Sequence, residues 1–270
     1  MNITENFNKK YNISLCCIIK DERYLEEFII YYTIIGVEHF YIYDNQSKIS
    51  VKERLSNDYF KNICTIIDFP GKVQQLNAYN NCLEKYGYET NWLIFVDGDE
   101  YILPKKYDNL KDFLNDYNDA YAIGINWIMF GSSFHEKKQD GFLIDKYRMC
   151  DNSQNPHIKT ILKPQYTIKM IDPHTAQLID DTKYMDPKKN IIHGPFTKNE
   201  TVDIIQINHY HGKSHEEQLE KQKRGTPDRE NNGYIPQEHK INNNEYDSLI
   251  VDKYFSDVQN IANTINYTLL

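Results

Sequence analysis

The eleven residues 92–102, WLIFVDGDEYI, constrain this chain more than any other stretch. Five apolar residues in succession, Trp92 to Val96, many of them bulky or β-branched, predict a short strand buried on both faces in the middle of a parallel sheet. The run stops at three carboxylates, Asp97, Asp99 and Glu100. Asp97 and Asp99 lie two apart around Gly98, so at a strand end both can turn toward one point while the glycine lets backbone or ligand come close. Ligands of open α/β sheets sit beyond the carboxyl ends of strands. Such a pair suits a hard cation, Mg2+ or Mn2+, and leaves positions for water and phosphate oxygens, so a diphosphate is expected to supply the missing ligands. The plain alternative is an acidic turn capping a strand. A calcium hand is excluded, because Pro104, Lys105 and Lys106 fall where its twelve-residue loop would need oxygen ligands.

At 270 residues, 40% of them hydrophobic, the chain suits one large α/β domain with appendages or two small ones. A net charge of -8 argues against a nucleic-acid groove, and any phosphate binding must rest on local lysines and arginines. The five cysteines are odd in number and show no C-x-x-C spacing, so reduced core thiols are expected. No apolar run approaches the length of a transmembrane segment, and residues 1–11 are polar without a signal-peptide core. The expectation is a soluble, cytoplasmic protein.

Residues 13–19 form a second continuous apolar run ending in Lys20-Asp21-Glu22, and the spacing over 24–35 predicts a helix stopped at Gly36. Residues 39–43 then read as a strand ending at Asp44, which makes a βαβ unit. A strand over 63–67, a helix over 74–86 and the strand at Trp92 complete a doubly wound half-sheet suited to a nucleotide. No G-x-G-x-x-G or Walker sequence is present. Lys20, Asp21, Asp44 and Gln74 fall at one rim of that sheet and are assigned to base and ribose. Beyond Asp99 a helix is expected over 110–117, a strand over 122–130, and shorter strands over 142–149, 158–162 and 166–171 in a mixed extension of the sheet. Residues 204–207 read as a strand, 216–224 as a charged helix, 226–247 as a surface loop and 249–265 as a terminal amphipathic helix.

A second constellation, His209-Tyr210-His211-Gly212-Lys213-Ser214, lies between a strand and a helix. Imidazole is a good Mn2+ ligand, Gly212 lets a phosphate approach the backbone, Lys213 offers charge, and a helix start at Ser214 offers free N–H groups. Local hydrogen bonding of structural histidines is the plain alternative.

The ordered series Lys20-Asp21-Glu22, Tyr41 to Ser47, Trp92 to Glu100, Phe130 to Ser133, Lys159 to Pro164, and Asn208 to Ser214 with Lys221, Arg224 and Gly225 resembles the family 92 and family 2-like glycosyltransferases. The resemblance covers roughly residues 13–225. It implies a GT-A fold, with a nucleotide-binding half over 1–102, an acceptor and metal-histidine half over 103–225, and the loop and C-terminal helix over 226–270. It also implies a nucleotide-sugar donor, most often a UDP-sugar, a glycan or other hydroxyl acceptor, and Mn2+ or Mg2+ at Asp97 and Asp99. His209 resembles the first histidine of glycogenin-type transferases and takes their metal-ligand role. Lys213, with Lys221 or Arg224, would help neutralise the diphosphate. For an inverting reaction the candidate bases are Asp172 and His174, with Glu136 and Asp140 in reserve. A metal-dependent nucleotidyltransferase or diphosphatase, and an inactive sugar-nucleotide-binding module, are the rival readings.

Overall fold

The computed structural model describes residues 9–225 and 241–267. Its first half runs β1 (Tyr11–Ile19), α1 (Leu25–Ile34), β2 (His39–Asp44), α2 (Val51–Arg54), α3 (Asp58–Ile63), β3 (Cys64–Asp68), α4 (Gln75–Tyr86) and β4 (Thr90–Phe95). The chain continues through β5 (Glu100–Pro104), α5 (Leu110–Asn115), β6 (Ala122–Met129), α6 (Leu143–Lys146), β7 (Met149–Cys150) and β8 (Asn155–Leu162). Then come β9 (Thr167–Met170), β10 (Ala176–Leu178), β11 (Tyr184–Met185), β12 (Ile205–His209), α7 (His215–Arg224), β13 (Glu245–Tyr246) and α8 (Leu249–Thr264).

Nine strands form one mixed sheet in the order β3-β2-β1-β4-β8-β6-β12-β5, with β11 beside β6. The first four are parallel. β8 runs antiparallel to both β4 and β6, and β12 joins β6 in parallel and β5 antiparallel. The fold is therefore mixed α/β, and its main sheet draws strands from both sides of residue 102.

The continuous apolar runs follow from cover on both faces. Ile13, Leu15, Cys17 and Ile19 of β1 and Trp92 and Ile94 of β4 enter one core with α1, α5 and α8. The alternate residues Cys16, Ile18, Leu93 and Phe95 enter a second core with Ala78, Tyr79 and Cys82 of α4 and with β9 and β10. A strand whose two faces both meet packed layers has no position for a polar residue until it leaves the sheet. Helix α1 ends before Gly36, whose φ of +105° an L side chain adopts only with strain.

Three expectations are corrected. Residues 142–149 hold a helical turn, α6, rather than a strand, because the buried carboxylate of Glu27 accepts the N–H groups of Leu143 (2.6 Å) and Ile144 (3.0 Å) and caps it. β9 does not extend the main sheet but pairs with β10 in a separate antiparallel ribbon. Of the loop expected over 226–247, residues 226–240 lie outside the described residues, and Glu245–Tyr246 pair with β7. All five cysteines are thiols, four of them buried. Among the described residues no helix is long and apolar enough to cross a membrane.

Candidate active site

The acidic turn is built by its own third carboxylate. Glu100, fully buried, accepts the N–H of Asp97 through Oε2 (2.8 Å), while the Glu100 N–H returns to the Asp97 carbonyl (3.0 Å). This closes Asp97-Gly98-Asp99-Glu100 into a reverse turn at the end of β4 and leaves Asp97 and Asp99 facing a cavity of about 200 Å3. Gly98 is needed for packing: a Cβ there would lie 3.1 Å from Cγ of Glu22, so only glycine lets the Glu22 stem cross it without displacement. Burial and the neighbouring Asp97 push the Glu100 carboxyl well above the usual range, against the opposing Lys159 charge.

Antiparallel pairing of β5 with β12 places His209 directly opposite Glu100, and the Tyr210 N–H donates to the Asp99 carbonyl (2.8 Å). That register brings residues 110 apart in the chain together, with His209 Nε2 at 3.6 Å from Asp99 Oδ1. Trp127 of β6 packs edge-on against the His209 ring, with centroids 4.4 Å apart. The buried Nδ1 of His209 has no hydrogen-bond partner.

Each aspartate has its own lysine. Lys159 of β8, 1% exposed, donates to Asp97 Oδ2 (3.0 Å) and lies 3.6 Å from Glu100 Oε2. Gln75 and Tyr79 of α4 donate to the other Asp97 oxygen, Tyr79 at 3.2 Å. Lys221 of α7 donates to Asp99 Oδ2 (2.9 Å). Burial alone would raise both aspartates, yet the lysine charges and His209 outweigh it, holding Asp97 below and Asp99 well below the ordinary carboxylate value. The reciprocal effect raises Lys159 and Lys221 against the burial that opposes their charge.

Lys20, Asp97, Asp99, His174 and His209 line this one cavity, with Lys221 and Arg224. Asp21, Asp44, Gln74, Gly212 and Asp172 do not. Asp21 and Lys213 line a neighbouring cavity, where Lys213 Nζ donates to Glu22 (2.7 Å). Asp44 accepts the N–H groups of Ser47 (2.9 Å) and Val51 (3.0 Å) and so secures the turn after β2. α4 begins at Gln75, one residue later than expected, and Gln75 rather than Gln74 lines the cavity and donates to Asp97. Gly212 gives its N–H to the Phe130 carbonyl (3.1 Å). The helix start at Ser214 offers no free N–H groups in its first turn: Ser214 and Glu217 form a reciprocal capping box, and the N–H groups of His215 and Glu216 donate to the carbonyls of His135 and Glu136.

The two base candidates separate. Asp172 Oδ1 accepts the N–H groups of His174 (2.6 Å) and Thr175 (2.8 Å), shaping the turn that presents His174. Nδ1 of His174 lies 2.9 Å from the Ile158 carbonyl, which can only accept, so this nitrogen carries the proton and Nε2 keeps a lone pair. Burial, then the Lys159 charge, lower the ring to about 4, so it is neutral at pH 7. Neither Glu136 nor Asp140 lines the cavity.

Two carboxylates and an imidazole are the oxygen and nitrogen donors that Mn2+ or Mg2+ accepts, and Nε2 of His209 is the ring nitrogen turned to Asp99. The donor chemistry fits a divalent cation. Among the described residues no three His, Cys, Asp or Glu side chains converge as a ready cation cage. The carboxylates are instead turned to Lys159 and Lys221.

Comparison with known proteins gives relatives in plants. A glycosyltransferase family 92 protein of Arabidopsis thaliana is 23% identical over 217 residues, 74% of this chain and 35% of its own. One of Ricinus communis is 29% identical over 197 residues, 68% of this chain and 35% of that protein. Another, of Oryza sativa subsp. japonica, is 29% identical over 118 residues, 43% and 20% respectively. The chain thus spans about a third or less of the length of these curated relatives. Two solved structures of S. aureus TarS 1–349, the second in complex with UDP, superpose partially, with TM-scores of 0.37 and 0.39 at 13% and 16% identity. Each covers 57% of this chain, and 48% and 47% of the TarS chains are matched. Residues 11–248 match the description of glycosyltransferase family 92, and by that match the chain belongs to glycosyltransferase family 92.

Proposed function

We propose that this chain is a GT-A domain that moves a sugar from a nucleotide-sugar donor, UDP-linked as the family resemblance implies, to a hydroxyl of a glycan or other acceptor, with inversion. The observation that carries the reading is that Asp97 and Asp99, in the turn after β4, and His209, at the end of β12, line one cavity that also holds Lys159, Lys221 and Arg224. Asp97, Asp99 and His209 are the residues that would hold a Mn2+ or Mg2+, which would supply positive charge to the leaving diphosphate. Lys221 and Arg224 stand beside Asp99 and Glu22 and offer their charge to the same diphosphate. Lys159 and Gln75 keep Asp97 oriented. His174 Nε2, the one unprotonated imidazole nitrogen defined by a backbone partner in the cavity, takes the acceptor's proton as the acceptor oxygen bonds to C1 and the bond from C1 to the phosphate oxygen breaks.

The test is nucleotide-sugar screening by thermal stabilisation with and without Mn2+. A ligand at a hundred times its dissociation constant adds about 2.7 kcal/mol. Stabilisation by one donor that requires Mn2+ and disappears in Asp99→Asn is expected. Stabilisation independent of metal, or intact in Asp99→Asn, would remove Asp97, Asp99 and His209 from the donor site.

A further inference from the structure

Beside the aspartate cavity lies a larger one of about 800 Å3, bounded by the turns after β1 and β2, by Arg54 of α2 and by α7. Its lining carries eight lysines and arginines against four carboxylates, in a protein whose net charge is -8. The positive side chains are held in place: Arg54 pairs with buried Glu26 and donates to the Glu22 and Arg23 carbonyls, and Arg224 donates to the Asp21 carbonyl (2.5 Å). Lys48 stands exposed on the opposite rim, its N–H fixed by Asp21 Oδ1 (2.7 Å). Glu22, His211, Lys221 and Arg224 line both cavities, so the two adjoin through a shared wall. A concave surface with an excess of one sign focuses its field and concentrates counter-charged ligands, the more so when the rest of the molecule repels them. The volume suits several sugar residues.

We infer that this cavity is an acceptor subsite for an acidic chain, one bearing carboxylate or phosphodiester groups, whose end hydroxyl reaches the aspartate cavity across Glu22 and Lys221. The inference rests on the transferase reading above, which assigns the donor diphosphate to the smaller cavity and leaves this one for the acceptor. Lys48 lines this cavity and not the aspartate cavity, so it acts on the acceptor alone.

The test is calorimetric titration of the full chain, without metal or donor, using three probes: tetragalacturonate, a glycerol-phosphate tetramer and neutral maltotetraose. One acidic probe should bind at least about tenfold more tightly than maltotetraose and weaken as salt rises. Lys48→Glu should weaken it about fivefold, as reversing one exposed charge at roughly 8 Å in a watery rim implies, with an unchanged melting temperature. Asp97→Asn, outside this cavity, should leave it within twofold. The two acidic probes distinguish carboxylate from phosphodiester. Equal binding of acidic and neutral probes, an indifferent Lys48→Glu, or displacement of the acidic probe by UDP with Mn2+ would overturn the inference. Acidic-probe binding without any metal-linked UDP binding would support the anion subsite while sinking the transferase reading.

Discussion

Replacing Lys159 by methionine separates the structural from the chemical part of the site. The ammonium is 1% exposed and lies 3.0 Å from Asp97 and 3.6 Å from Glu100, so its loss strips both carboxylates of their lysine and leaves only Asp99 paired, to Lys221. Breaking a buried pair by removing one partner costs about 3–5 kcal/mol, because an uncompensated charge stays behind. Two features put this case at the low end. Burial favours the neutral form of Glu100, and Asp97 is a third exposed and keeps its bonds from Gln75 and Tyr79. The expected loss is therefore about 3 kcal/mol, a large share of the 5–15 kcal/mol typical of whole proteins. Urea unfolding of wild type and Lys159→Met, each with and without Mn2+, measures it. In the variant the cation meets an Asp97 with no ammonium to displace, so Mn2+ should stabilise Lys159→Met more than wild type. A variant within about 1 kcal/mol of wild type, well below the cost of an orphaned buried charge, would refute the reasoning. So would equal stabilisation of both proteins by Mn2+.

His174→Ala should lower turnover by about 10²–10⁴ with donor affinity retained, the span expected for loss of a general base, whereas Asp172→Ala, which only loosens the turn, should cost much less; steady-state kinetics on both decides between them. Asp44→Ala should cost about 0.5–2 kcal/mol through its lost cap on the β2 turn and leave nucleotide binding unchanged, as titration with UDP would show. Burial lifts Glu27 to about 8 from 4.5, against the Leu143 and Ile144 N–H groups that favour its charged form. The folded protein then keeps a proton that the unfolded chain releases, so this contribution is whole below about pH 4.5 and falls as pH rises to about 8, at about 1.4 kcal/mol per pH unit. Chemical denaturation of Glu27→Gln across that window should show the slope reduced by about one proton's worth, and an unchanged slope would count against it.

The parallel half of the sheet was legible because its inner strands β1 and β4 are packed on both faces, which writes apolar runs into the sequence at 13–19 and 92–96. The acidic turn was legible for the same reason, as the point where the run stops. What escaped depends on partners distant in the chain. Leu143 and Ile144 look like strand residues until Glu27, more than a hundred residues earlier, caps their N–H groups. Lys159 sits alone among Ile158, Thr160, Ile161 and Leu162, and a lone lysine in a buried strand is a signal of a buried counter-charge that goes unread without the register of β8 against β4 and β6. Of the adjacent Gln74 and Gln75, only the packing of α4 against β4 decides that Gln75 reaches Asp97. The Ser214-x-x-Glu217 pattern was itself readable as a capping box, which closes the helix start that an anion would otherwise use.

The most direct measurement of the central claim is the identity of the nucleotide released. Wild type and Asp99→Asn would be incubated with each UDP-sugar and a mixed glycan acceptor, with Mn2+ or with excess chelator, and the nucleotides resolved by anion-exchange chromatography. The account expects UDP to appear together with a sugar-extended acceptor, only in wild type and only with Mn2+. Release of UMP or pyrophosphate instead, or the same yield of UDP from Asp99→Asn, would contradict it.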